Sequence, residues 1–281
     1  MRIKVTSYST CDLTQELLAA HDITLTPLIV IKNNEEFYDG ETITPAEIFE
    51  HVAAGGGLCS TAARSVGYYQ DVFEQYASEY DGVVHISIGS GFSSSYQNAC
   101  LAAEEFDNVR VIDSMSLSTG QGFIVLEAAK LAKSCTSLDE LQKQLEAFTS
   151  RVEISFVLDR LDYMVKGGRC SSAAALGANL LNLKPCIEVK DGKLGVVKKY
   201  RSSYTKCLAS YIKDRLEGRD NLGSELVFIT STPVSEEAYS VAMDSIRKYG
   251  KFDSIVETTA GCTVSCHCGP GTLGIIFVRN A

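Results

Sequence analysis

The alternation of short apolar runs with longer helical runs in this 281-residue chain predicts an α/β protein. Two α/β domains are expected, the first with a mostly parallel sheet and the second with a mixed sheet. Three observations carry that expectation. Ile3–Ser7, Thr26–Ile31, Gly82–Ile88, Val109–Asp113 and Glu153–Asp159 read as strands, several nearly continuous in apolar residues, which suits parallel strands buried on both faces. Helical stretches with recognisable starts lie between them. In the second half, Pro185–Val189 and Leu194–Tyr200 flank Lys190-Asp191-Gly192-Lys193, and Asp-Gly between alternating runs signals an antiparallel hairpin. The expected division is residues 1–160 for an N-terminal domain and 161–281 for a C-terminal one.

The helices follow from their ends. Thr44-Pro45-Ala46-Glu47 is a capping box with proline at the first helical position, and Gly55-Gly56-Gly57 closes that helix. Ser65 precedes a helix from about Gly67 to Tyr80. The small residues Gly89–Ser95 open another that continues through Ala103. Ser137-Leu138-Asp139-Glu140 fits the looser capping pattern ahead of Leu141, Leu145 and Phe148. Beyond the hairpin come a helix over Tyr204–Leu216, a strand over Leu226–Thr230, a helix over Glu236–Tyr249 and two final strands.

Composition excludes several function classes. Lys plus Arg number 26 and Asp plus Glu 35, a net charge of −9, whereas a nucleic-acid surface needs a basic face. No apolar run approaches the length of a membrane-spanning helix, and the N-terminus turns polar too early for a secretory signal, so a cytoplasmic protein is expected. In that setting the ten cysteines, among them Cys100, Cys186 and Cys207 in apolar runs, read as reduced thiols packed as small hydrophobes.

Four segments could carry chemistry. Gly89-Ser90-Gly91-Phe92-Ser93-Ser94-Ser95 follows an apolar strand and opens a helix, so its backbone N–H groups and hydroxyls suit a carboxylate or phosphate. The plainer reading is that Ser93 or Ser94 only caps the helix. The same loop falls short of a dinucleotide fingerprint, having Ser94 where the third glycine would stand. It also falls short of a nucleophile elbow, having Ser95 in place of the last glycine. Ser93, then Asp113 or Asp159, then His267 nevertheless follow the order of a serine hydrolase, which is the alternative function.

The second segment, Cys59-Ser60-Thr61-Ala62-Ala63-Arg64-Ser65, is weak by itself. In the third, Cys262, Cys266, His267 and Cys268 tempt a zinc reading. An extended Cys266-His267-Cys268 would splay its side chains to opposite faces, and no second ligand pair exists at metal spacing, so no metal is expected. In the fourth, Lys166-Gly167-Gly168-Arg169, the glycines free Arg169 to hold an anion, or leave it solvated on a connecting loop.

Taken together the segments resemble the DegV family of bacterial fatty-acid-binding proteins, nearly end to end. The landmarks are Asp39-Gly40, Thr61 with Ser65 and Gly67, Ile86-Ser87-Ile88 leading to Ser93, Tyr96-Gln97 and Ile112-Asp113-Ser114. Gly167-Gly168-Arg169, Lys184-Pro185, Asp191-Gly192, Arg201 and His267-x-Gly269-Pro270-Gly271 complete them. The resemblance implies two α/β domains with a long-chain, palmitate-like fatty acid buried between them. It implies that Thr61 and Ser93 hold the carboxylate, with Ser94 and His267 in the polar network around the head group. It makes Arg169 and Arg201 basic positions for a phosphate or a partner. It implies a carrier with no catalytic residues and no cofactor, presenting its cargo to a fatty-acid kinase subunit and an acyltransferase, and it allows transient contact with a membrane surface. The usual Thr-Ser-Gln-Pro-Ser run is here Thr61-Ala62-Ala63-Arg64-Ser65, and the usual Ser-Gly-Thr is Ser93-Ser94-Ser95.

Overall fold

The computed structural model describes residues 1–175 and 183–280. Its thirteen strands among the described residues are β1 (Ile3–Tyr8), β2 (Ile23–Thr26), β3 (Ile29–Lys32), β4 (Glu35–Tyr38), β5 (Ser60–Ala62), β6 (Gly82–Ser87), β7 (Val109–Asp113), β8 (Val152–Leu158), β9 (Leu183–Lys190), β10 (Lys193–Arg201), β11 (Leu222–Ser231), β12 (Ser254–Thr259) and β13 (Thr272–Arg279). They fall into two compact units. One comprises Met1–Thr44, Thr61–Ser150 and Gly261–Thr263, the other Pro45–Ser60, Arg151–Ala260 and Val264–Ala281.

The first unit is built on the sheet β2-β1-β6-β7, parallel throughout. Every residue of β6 is buried, as a strand covered on both faces requires. The covering helices include Val66–Ala77, Ser95–Ala103 and Ser118–Leu131. Strand order reverses between β1 and β6, the topological switch point of a doubly wound sheet, and ligands of such sheets bind outside the carboxyl ends of the strands there. A small sheet, β4-β3-β5, belongs mainly to the same unit. The single strand expected over Thr26–Ile31 is divided into β2 and β3, because Pro27 donates no ladder hydrogen bond. Asn33 and Asn34, both at positive φ, then turn β3 back into β4.

The second unit carries the mixed sheet β10-β9-β8-β13-β11-β12, antiparallel except for β11–β12. Asp191 and Gly192 have φ of 49° and 69°, the left-handed pair that a two-residue hairpin needs. The period of two sorts β8 between two cores. Val157 joins Leu208, Tyr211, Ile229 and Ile246 beneath the helices Tyr204–Leu216 and Glu236–Tyr249. Phe156 and Leu158 join Met164, Ala173, Ile187 and Val264 on the other face. All ten cysteines stay thiols, nine of them buried.

The structure departs from the expected division in three places. Glu153–Asp159 was expected as a first-domain strand, but β8 is hydrogen-bonded to β9 and β13, so the chain passes to the second unit after Ser150. The helix Pro45–Ala53 belongs to the second unit, and Gly261–Thr263 returns to the first.

Candidate functional site

The loop after β6 is shaped by backbone demands before any ligand enters. A Cβ on Gly89 would stand 2.9 Å from the Ser116 nitrogen and from Phe92 Cε2. Only glycine therefore fits where Gly89 N–H donates to Ser116 C=O (2.8 Å) and Phe92 N–H donates to Gly89 C=O (2.9 Å). Asp113, at the end of β7, accepts from the N–H groups of Ser90 (3.1 Å) and Met115 (2.8 Å) and ties the loop to its neighbour.

Ser93 follows, half-buried, ahead of the helix Ser95–Ala103. Its Oγ accepts from Ser95 N–H at 3.2 Å and lies 2.9 Å from Ser95 Oγ. The capping role is therefore real, but it uses Ser93 as an acceptor. When the buried Ser95 hydroxyl donates across that pair, the Ser93 proton is left to donate to an anion. Ser94 is the N-cap residue by backbone position, is exposed, and makes no capping bond with its side chain.

Thr61 lies on β5, in the same unit and likewise half-buried. Ser65 caps the helix Val66–Ala77, accepting from Tyr68 N–H at 3.3 Å. The segment between is joined to the Ser93 helix, since Asn98 Nδ2 donates to Arg64 C=O at 2.7 Å. The floor is aromatic. Tyr8 donates its hydroxyl to Ser95 C=O at 3.1 Å, and its ring lies 4.6 Å from His85 and 5.8 Å from Tyr69. Burial pushes His85 down to about 3, so the floor is uncharged at neutral pH.

The other predicted residues lie in the second unit. His267 sits on the helix Cys262–Cys268, so the segment expected to splay if extended is helical. Among the described residues no cluster of three or more His, Cys, Asp or Glu side chains could hold a metal ion. Burial first, and the Arg169 charge second, push His267 down to about 4, leaving it neutral. A Cβ on Gly167 would stand 2.3 Å from His267 Nδ1, which explains the glycine. Gly168, with φ of 69°, ends the helix Asp162–Gly167, and the exposed Arg169 turns back to donate from Nη1 to Gly167 C=O at 2.8 Å. The helix opened by Ser171 is described only to Ala174, and its expected continuation reaches into residues 176–182, outside the described ones. Arg201 is exposed at the end of β10. Gly167→Ala is expected to displace the imidazole and cost about 1–3 kcal/mol, the usual overpacking penalty. Denaturant unfolding, with His267→Ala as a background that should absorb the penalty, checks this.

The geometry gives the hydrolase alternative little. Ser93 is engaged with Ser95, Asp113 with two loop N–H groups, and Asp159 with Lys184 at 2.6 Å. A triad acid would instead orient an imidazole. A separate cavity of about 620 Å³ opens beside the carboxyl ends of β11 and β12, with Tyr239, Met243 and Arg247 in its wall. None of the predicted residues lines it.

Two carboxylates escaped the sequence reading. Asp12 accepts from Gly261 N–H (2.9 Å) and Ser118 Oγ (2.5 Å). Asp39 accepts from Cys262 N–H (2.8 Å), Thr263 N–H (3.1 Å) and Ser9 Oγ (2.9 Å). Asp39-Gly40 was visible as a landmark, but its partners Cys262 and Thr263 lie 223 and 224 positions away in the chain.

A doubly wound parallel sheet with a hydroxyl-bearing, uncharged loop at its switch point is the frame of an α/β small-molecule-binding protein. The chain belongs to the DegV family, whose model, described as an uncharacterised protein family, matches residues 2–280. A DegV domain-containing protein of Clostridium perfringens is 29% identical over 99% of both chains. Among solved structures, a DegV family protein from Thermus thermophilus, described by its fatty acid binding, superposes with a TM-score of 0.89 at 28% identity, covering 99% of this chain and 100% of that one. DegV from Bacillus subtilis, described as a fatty acid binding protein, gives 0.82 at 26% identity and full coverage of both. A stearic-acid-binding protein from Eubacterium ventriosum gives 0.82 at 27%, covering 99% and 98%. Among the described residues no helix is long and apolar enough to cross a membrane.

Proposed function

We propose that this protein binds a long-chain fatty acid, with the carboxylate held by the hydroxyls of Thr61 and Ser93. The observation that carries the reading is Ser93, placed at the switch point with its oxygen already accepting from Ser95 N–H. Three solved relatives described as fatty-acid binders support it. A head group held by neutral donors contributes about 1–3 kcal/mol per charged hydrogen bond. A tail of about 14 methylenes adds up to ~11 kcal/mol at ~0.8 kcal/mol each, before ordering costs. Such a division lets the protein bind tightly while the carboxylate stays open to chemistry.

The finer reading is a cytoplasmic carrier, without catalytic residues or a cofactor, that presents its cargo to a kinase subunit and passes the acyl phosphate to an acyltransferase. Arg169 and Arg201, both exposed, serve the phosphate or the partner in that reading. The roles the family resemblance gives Ser94 and His267 belong to the same proposal.

The test is competition between palmitate and hexadecanol on wild type, Thr61→Ala, Ser93→Ala and the double variant. Wild type should prefer the acid. Each single variant should lose about 1–3 kcal/mol of that preference, and the double variant less than the sum, because the two hydroxyls share one ligand group. Equal discrimination by all four proteins would return Ser93 to being a helix cap.

A further inference from the structure

Arg64 lies three residues after Thr61. Its guanidinium carbon lies 3.6 Å from the ring centroid of Tyr68 and 4.6 Å from that of Tyr38. Tyr38 ends β4, in the same three-stranded sheet as Thr61 on β5. The rings fix the plane of the guanidinium while leaving its in-plane N–H edges available. Among the described residues no ion pair engages Arg64, although seven other arginine–carboxylate pairs form. The Nε atom is buried with no hydrogen-bond partner. The Tyr68 phenol feels the charge and hydrogen bond of Arg64 and, more weakly, the charge of Glu41. A desolvated donor costs free energy unless something accepts from it. A cation held flat with its Nε donor unused, in a protein of net charge −9, is arranged to receive an oxyanion.

We infer that Arg64 is an oxyanion-receiving residue, which supplies the otherwise neutral head-group site with a cation and selects ligands ending in a carboxylate or phosphate monoester. The inference rests on the fatty-acid reading for its ligand, but not for the availability of the guanidinium. Arg64 also positions the site, through the bond from Asn98 to its carbonyl, and that role survives side-chain replacement.

The experiment separates the two readings. In nitrogen-edited NMR the Arg64 Nε–H signal is the one lost in Arg64→Gln. It should shift when octanoate, octyl phosphate or inorganic phosphate is added, and stay still with octanol. A response to octanoate places the carboxylate on Arg64, and a response confined to the phosphates places a phosphorylated ligand there; both uphold the assignment. In competition, Arg64→Gln should lose about tenfold to a hundredfold in affinity for palmitate, the range of a charged hydrogen bond, and keep its affinity for hexadecanol. Arg64→Lys, which retains the charge without the flat stack, should fall between. Equal loss of acid and alcohol, or a signal unmoved by all three anions, overturns the inference. If wild type fails to bind palmitate, the fatty-acid reading falls, and the response of the Arg64 signal to inorganic phosphate alone still decides the residue's role.

Discussion

Asp39→Ala is expected to destabilise the protein by about 3–6 kcal/mol, because two buried N–H groups, of Cys262 and Thr263, lose their shared acceptor at once. Ser9 Oγ loses its partner too. Asn at this position can still accept through one oxygen and should cost about half as much. Asp12, on the adjoining N–H of Gly261, is expected to behave differently. Burial, opposed by Ser118 and Gly261 and reinforced by the Asp39 charge, pushes Asp12 up to about 8. Its folded pKa lies above its unfolded one, so the folded state binds the extra proton between about pH 4 and 8. The Asp12 contribution to stability is then lost as pH rises through that window, at about 1.4 kcal/mol per pH unit. Asp12→Asn should remove this contribution, seen most directly as a flat curve above about pH 6.5, while costing little at pH 7. Chemical denaturation of both variants across pH 5–8 checks the pair. An Asp39→Ala protein as stable as wild type, or an unchanged slope in Asp12→Asn, would contradict these roles for the two carboxyl groups on Gly261–Thr263.

Acid should act through the opposite sign at His85. The imidazole is buried among Tyr8, Tyr69 and Phe73, with Nδ1 2.9 Å from Thr6 Oγ1. Among the described residues Nε2 has no partner. Burial holds the folded pKa at about 3, below the ordinary 6.5, so the unfolded state takes up the proton first. Stability is full above about pH 6.5 and is lost as pH falls towards 3, by up to about 5 kcal/mol. His267, held at about 4, adds in the same direction. Between about pH 4 and 6.5 the Asp12 and His85 contributions nearly cancel and His267 leaves a net loss towards acid. Above about 6.5 only Asp12 acts, so these three groups place the stability maximum near pH 6.5. His85→Leu strands the Thr6 hydroxyl and should cost about 1–3 kcal/mol at pH 7. Its stability should depend less on pH than wild type by about 1.4 kcal/mol per unit between pH 4 and 6. Parallel curves for the two proteins would show that His85 protonates without unfolding.

Local patterns and their tertiary use separate cleanly in this chain. The helices Tyr204–Leu216 and Glu236–Tyr249, the Asp191-Gly192 hairpin and the Ser65 and Ser137 caps were all legible, because each depends on periodicity or on a bond within a few residues. The loop at 89–95 with Ser93 was legible as a candidate site for the same reason, whereas Thr61 was singled out only by the family resemblance. The partners of β8, the transfer of Pro45–Ser60 to the second unit and the return of Gly261–Thr263 to the first were not. Neither were the carboxylates that grip that return, the imidazole resting on Gly167, or the tyrosines that clamp Arg64. Side-chain periodicity says which face of an element is buried, and residues far apart in the chain leave no periodic mark of which partner buries it. Those pairings are settled only when the folded chain must satisfy each buried donor, acceptor and charge at the same time.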